Sequence, residues 1–191
     1  MLAAPSILRA STEINLYSSR HYDTDEALYT NFTKQTGIGI NRIEAKAGEL
    51  IERLKAEGKN SPADVFLTVD AGNLERANVD GLFQPVRSDV LAKAIPSYLR
   101  HADGSWFGFS KRARVIMIAK DRIKADQVPS YESLADEAIK GKLLIRSSGN
   151  IYSQSLMGSI IAANGADKAE AWAKGVVANM ARAPKGGDTD Q

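Results

Sequence analysis

Two tyrosines stand where oxygen chemistry is available. Tyr22 follows the apolar run Ile14-Asn15-Leu16-Tyr17 and opens onto Asp23-Thr24-Asp25; Tyr152 follows Leu143-Leu144-Ile145 in the stretch Arg146-Ser147-Ser148-Gly149-Asn150-Ile151-Tyr152. Each phenol sits at a predicted passage from strand to helix, and ligands of open α/β sheets gather at the carboxyl ends of strands. Phenolate is a hard oxygen donor. Two of them, joined by the imidazole of His21, suit a hard, highly charged cation such as ferric iron. A trivalent ion favours loss of a phenol proton whose ordinary pKa is about 10. Taken alone the residues are weak evidence: the chain has six tyrosines, and tyrosine serves more often as half-buried packing. Tyr29, Tyr98 and Tyr131 receive that reading. His21 is a ligand, a donor behind the ligands, or an ordinary hydrogen-bonded imidazole. His101 lies in a turn, Leu99-Arg100-His101-Ala102-Asp103-Gly104, and is given no role.

Around these residues lie groups that can hold negative charge. Arg112 and Arg114 share a face of an extended segment by the two-residue period and can grip an anion bidentately; an edge strand with a solvated charged face is the competing reading. Ser147 and Asn150 offer polar side chains at a helix start, which suits an oxyanion and equally suits an ordinary N-cap. Asp70 and Glu44 each follow or end a predicted strand and are held in reserve. The nucleophile elbow G-x-S-x-G, the phosphate loop, H-E-x-x-H and G-x-G-x-x-G are all missing, so no enzyme is nominated.

The elements that position these groups alternate. Residues 14–17 predict a strand, 23–36 a helix with Leu28 and Phe32 at helical spacing and Gly37 as its stop, and 38–43 a second strand. Residues 49–57 predict an amphipathic helix carrying Leu50, Ile51 and Leu54 on one face and closing at Gly58. Residues 63–69 predict a buried strand delivering Asp70. Residues 106–118 are long and extended. Beyond them come a helix over 131–139, a strand over 142–146, and helices over 155–163 and 167–180. The alternation predicts an α/β fold with a largely parallel sheet.

Bulk properties fit that reading. The chain has 191 residues, 43% hydrophobic and 25% charged, with a net charge of +2; that is enough apolar material for one core or two small ones. The basic residues are scattered among acids, which argues against nucleic acid and anionic membranes as partners. With no cysteine, disulfides and thiolate sites are excluded. No run approaches the roughly 18 apolar residues that cross a bilayer. The start, Met1-Leu2-Ala3-Ala4-Pro5-Ser6-Ile7-Leu8-Arg9-Ala10, resembles the remnant of an export signal, with a frayed terminus as the alternative. At the other end, Gly186-Gly187-Asp188-Thr189-Asp190-Gln191 announces a helix cap that no helix follows, which predicts a fragment of a longer protein; a flexible tail is the alternative. The expected division is 1–12 as signal remnant or disordered, 13–111 as a first α/β lobe, and 112–191 as a partial second lobe.

Several segments in this order carry a family resemblance. Tyr17-Ser18-Ser19-Arg20-His21-Tyr22, Ser61-Pro62-Ala63-Asp64-Val65, Thr68-Val69-Asp70-Ala71-Gly72, Gly81-Leu82-Phe83-Gln84-Pro85-Val86, Trp106 through Val115, Arg146 through Ser155, and Gly186 through Gln191 together resemble the periplasmic ferric-iron-binding proteins of ABC importers, the FutA type most of all. The resemblance covers nearly the whole chain from Glu13. It implies a type II periplasmic-binding-protein fold of two lobes, the second incomplete. It further implies a periplasmic monomer that takes Fe(III) into an interlobe cleft and delivers it to a permease of the inner membrane, without catalysis. Tyr22 and Tyr152 match iron-ligating tyrosines, His21 a histidine at or near the metal, and Arg112 an arginine behind the ligands. The family's adjacent tyrosine pair falls beyond Gln191, so weakened iron binding is expected. The alternatives are an oxyanion or small organic solute held by Arg112, Arg114 and residues 147–150, and a lobe that binds nothing.

Overall fold

The computed structural model describes residues 12–20 and 22–191. They form two compact units, one reaching to Phe109 and the other running over Ser110–Gln191. The expected N-terminal remnant, apart from Thr12, and the His21 assignment lie outside the described residues.

In the first unit β1 (Glu13–Ser18) leads through a 3-10 turn at Asp23–Asp25 into α1 (Glu26–Thr36). Gly37, at φ 72°, stops α1 by donating its N–H to the Thr33 carbonyl at 2.9 Å, a left-handed cap that glycine adopts without Cβ cost. Next come β2 (Gly39–Glu44), α2 (Ala47–Glu57), β3 (Val65–Leu67), α3 (Ala71–Val79) and α4 (Asp89–Ala94). The strands form a parallel sheet in the order β2-β1-β3, with Tyr17 beside Ile43 on one side and Phe66 on the other. Leu50, Ile51 and Leu54 of α2 are buried as predicted, and Leu50 and Leu54 form the core with Tyr17. The α/β reading with parallel pairing holds here.

Two expectations fail in this unit. Residues 63–69 do not make a buried strand: β3 spans three residues, pairs only with β1 among the described residues, and leaves Val65 45% exposed. It is an edge strand, which alternating apolar character alone does not distinguish from a central one. Leu28 does not reach a core either, being 67% exposed on α1, a helix without buried residues.

In the second unit α5 (Ile151–Asn164) and α6 (Ala166–Asn179) are the long elements. One apolar cluster joins Val128, Leu134, Ile139 and Val176 with Ile116, Ile118, Leu143 and Ile145. A second joins Leu156, Ile160 and Ala169 with Trp172. The predicted helix over 131–139 is instead two 3-10 segments, Glu132–Ala135 and Glu137–Ile139. The buried Asn179 amide donates to the Leu134 carbonyl at 3.0 Å and the Asp136 carbonyl at 2.7 Å, binding the turn to α6 where an α-helix would have continued its own ladder. The predicted strand over 142–146 is reduced to one parallel bridge, Leu143 with Met180. Helix α5 begins four residues earlier than the predicted 155 because Asn150 caps it, accepting from the Tyr152 N–H at 3.0 Å. After the glycine turn near the end of the chain, Asp188–Asp190 form one 3-10 turn, where no helix was expected.

Candidate functional site

Tyr22 and Tyr152 belong to different units, and each has its own surroundings. In the first unit the parallel register brings Ser18, Glu44 and Leu67 to the carboxyl edge of the sheet. Just beyond it, Ser19 donates its N–H to the Leu67 carbonyl at 2.9 Å and its hydroxyl to Thr68 Oγ1 at 2.8 Å. The chain then turns at Arg20, whose Nε and Nη2 each donate to an oxygen of buried Asp25 at 2.8 Å. That guanidinium holds the Asp25 carboxyl below the usual carboxylate range, against the opposing effect of burial. The Arg20 guanidinium carbon also lies 5.0 Å from the centre of the Tyr22 ring, and Tyr22 is 39% exposed.

Tyr22 lines an open pocket of about 140 Å³ with Arg20, Asp23, Glu26, Tyr29, Arg42 and Glu44. This volume is small beside the roughly 300–1,000 Å³ of pockets that take organic ligands. Arg42 pairs with Glu26, lies 3.5 Å from Glu44, and sits 4.9 Å from the Tyr29 ring centre. Glu44, held in reserve at the sequence level, therefore lines the same pocket as Tyr22. Tyr29, read as packing, does so too; it follows Glu26 at the i+3 spacing on α1, which puts the two on one helix face. Asp70 does not line it: with φ at 68°, it caps α3 by accepting from the Gly72 N–H at 2.8 Å.

In the second unit Tyr152 stands in the first turn of α5, encircled by guanidinium groups. The carbons of Arg112, Arg114 and Arg146 lie 5.5, 5.6 and 5.4 Å from its ring centre. Arg112 donates from Nη1 to the Tyr152 hydroxyl at 3.1 Å. Arg112 and Arg114 thus share a face, as the two-residue period predicted, although the segment carrying them joins no ladder among the described residues. Asp188 offsets part of this positive charge, at 3.2 Å from Arg146 and 3.8 Å from Arg114. The Arg146 Nε is buried without a hydrogen-bond partner among the described residues. Ser147 and Asn150 are engaged in the turn itself: Ser147 Oγ accepts from the Gly149 N–H at 3.2 Å, and Asn150 caps α5. Arg146 and Asp188 went unrecognised in the sequence because one closed a predicted strand and the other sat in an apparent tail.

The remaining tyrosines differ in kind. Tyr17 is 1% exposed and donates to Glu57 at 2.8 Å. Tyr131 donates to the Arg114 carbonyl at 2.6 Å. Burial raises the pKa of both phenols, which holds their protons in place. Tyr98 is 72% exposed, and His101, given no role, is paired with Asp103 at 2.6 Å. Among the described residues no group of three or more His, Cys, Asp or Glu side chains is placed to hold a metal.

Residues 27–189 match the family model for bacterial extracellular solute-binding proteins. The chain belongs to that family. It is 58% identical over 179 residues to iron uptake protein A1 of Synechocystis, covering 94% of this chain and 50% of that one. Among solved structures, Trichodesmium FutA in complex with iron and citrate ligands matches with a TM-score of 0.87 at 57% identity, covering 94% of this chain and 57% of the other. The ferric binding protein of Campylobacter jejuni matches with a TM-score of 0.88 at 47% identity, over 93% and 57% of the two chains. The expected type II α/β fold is thus the fold of ferric-binding relatives. This solute-binding protein spans about half the length of the curated relatives it matches.

Proposed function

We propose that this solute-binding protein is the ferric-iron-binding component of an ABC importer. In this reading it works in the periplasm as a monomer, delivers Fe(III) to an inner-membrane permease and catalyses no reaction. Tyr22 and Tyr152 supply phenolate oxygens, His21 a further donor, and Arg112 orients the Tyr152 hydroxyl through its hydrogen bond. The observation that carries this reading is the contrast among the tyrosines. Tyr17 and Tyr131 are held as phenols by burial and donate to Glu57 and to the Arg114 carbonyl, whereas Tyr22 lines an open pocket and the Tyr152 hydroxyl accepts from Arg112. A phenol oxygen that is open to solvent, or held only as an acceptor, is the one a hard cation can reach. The iron for which its relatives are named is the cargo that this chemistry fits.

The test is competition for Fe(III) against a soluble chelator. Tyr22→Phe and Tyr152→Phe should each weaken binding at least about tenfold, since each removes one charged oxygen from the metal. Because each phenol gives up a proton on binding, affinity should fall as pH falls. Equal affinity in wild type and both variants would reject the assignment.

The unpartnered Arg146 Nε within the arginine ring supports a second reading, an oxyanion seated beside Tyr152. Arg146→Gln separates the two. An oxyanion protein would lose its ligand, and Tyr22→Phe would leave that ligand bound.

A further inference from the structure

We propose that Asp25 is a positioning residue for Tyr22: it fixes Arg20, and the Arg20 guanidinium holds the Tyr22 ring where it lines the open pocket. As a role in metal binding this rests on Tyr22 being a ligand; as a role in orienting the ring it does not.

Asp25 leaves undone what its place suggests. It occupies the N-cap position of α1, where an aspartate ordinarily accepts from a backbone N–H of the first turn, yet its side chain makes no cap bond. Both carboxylate oxygens go instead to Arg20, one taking Nε and the other Nη2, each at 2.8 Å. The residue is buried. Taking a carboxylate out of water to meet one arginine is a weak source of stability, because desolvation opposes the attraction. A two-point fork does fix the plane of the guanidinium.

The main chain of the same arginine is held as well. Ser18 is fully buried; its hydroxyl donates to the Arg20 carbonyl and accepts from the Arg20 N–H, both at 3.0 Å. Arg20 is therefore gripped at its backbone by one buried side chain and at its guanidinium by another.

The gripped arginine meets Tyr22. Its guanidinium carbon lies 5.0 Å from the ring centre, inside the roughly 6 Å over which a cation is drawn to an aromatic face. The Tyr22 backbone is settled by its carbonyl, which accepts from the Asp25 N–H at 2.9 Å. That bond leaves the side-chain torsions to be set by what packs on the ring. The other such stack in the pocket, Arg42 on Tyr29, has no comparable support: the carboxylates beside Arg42 belong to Glu26 and Glu44, with side chains 56% and 42% exposed, against 8% for Asp25. A ligand already in place loses less freedom when the metal arrives.

The experiment has an iron-free arm and an iron arm, both on the 191-residue protein near neutral pH. In the first, tyrosine rings carry an isotope label for nuclear magnetic resonance, and the Tyr22 signal is identified by its loss in Tyr22→Phe. In the parent it should lie apart from the signal of free tyrosine, and in Asp25→Ala it should move towards it. Lys55→Gln, which removes the ion pair from α2 to Asp80, should leave it in place. Should Asp25→Ala fail to fold, the double variant Arg20→Met, Asp25→Asn leaves no charge buried alone and should release the ring in the same way. The second arm measures Fe(III) affinity by competition with a soluble chelator. Asp25→Ala should weaken binding about tenfold or more, as groups behind metal ligands ordinarily do. In a Tyr22→Phe background the same substitution should change affinity by less than about twofold, because the oxygen it positions is gone. A Tyr22 signal indifferent to the Asp25 variants would overturn the proposal. So would a loss of iron affinity as large without the Tyr22 hydroxyl as with it, the mark of a general structural effect. If Tyr22→Phe binds iron as the parent does, the metal assignment fails, and the iron-free arm alone decides the positioning.

Discussion

β1 and the 113–118 segment are alike as sequences, both short, apolar and extended, yet they end in different physical states. β1 is hydrogen-bonded on both sides, to β2 and β3, and its Tyr17 lies in the core. The later segment packs Ile116 and Ile118 on the core and joins no ladder among the described residues. Around β1, order comes from main-chain pairing. In the second unit it comes from side chains that reach main-chain groups: Asn179 to two carbonyls, Trp172 to the Tyr131 carbonyl at 2.7 Å, and Tyr131 to the Arg114 carbonyl. A strand is thus a property of a neighbourhood. β-propensity supplies an extended chain, and a partner turns it into a sheet.

The largest expected difference is in hydrogen exchange. Amides of β1 should be protected at least about a hundredfold more than those of 113–118, since ladder bonds must open before exchange. Equal protection would erase the contrast between the units. The next effect falls on the second unit alone. Asn179→Ala removes two hydrogen bonds, strands the buried Leu134 carbonyl, and should destabilise that unit by about 2–4 kcal/mol. Trp172 fluorescence in a Trp106→Phe background should follow the loss in urea. A matching shift reported by Trp106 in a Trp172→Phe background would show that the two units do not keep separate support.

Smaller effects are expected in the first unit. Asp25 has a folded pKa below its unfolded one because of Arg20. Its stabilisation is present above the ordinary carboxylate range and is lost as pH falls through the lowered folded value. Asp25→Asn should cost about 1–3 kcal/mol near neutrality, discounted for the partly solvated Arg20, and should flatten this acid arm of the stability curve. An unchanged acid arm would contradict the assigned pair. Smallest of all, Tyr17→Phe removes one hydrogen bond to Glu57, which keeps Arg53 and Ser61. The cost should be about 1 kcal/mol in urea unfolding; a much larger loss would mean that the hydroxyl, rather than the ring, anchors the core.

What could be read from the sequence follows the same division. β1, β2, α1 and α2 were legible because Gly37 and Gly58 punctuate them and because α2 shows its buried face in Leu50, Ile51 and Leu54; of the third strand only its presence was legible, not its edge position. The 3-10 segments around residue 134 were not legible, since their cause is an asparagine about 45 residues away. The strand over 142–146 was overread, because nothing in Leu143-Leu144-Ile145 says whether a neighbour exists. At the candidate site, Tyr22 and Tyr152 were singled out by their expected place between strand and helix, and the shared face of Arg112 and Arg114 was legible from strand period. Tyr29, Arg146 and Asp188 were missed because they join those tyrosines only through the folded turns.

The most direct test of the account titrates Fe(III) into the 191-residue protein and follows the visible phenolate-to-iron charge-transfer band. A band should appear in the parent, weaken in Tyr22→Phe and in Tyr152→Phe, and vanish when both are replaced. A band of unchanged intensity in the double variant, or none in the parent at any iron concentration, would contradict the assignment of these two phenols to the metal.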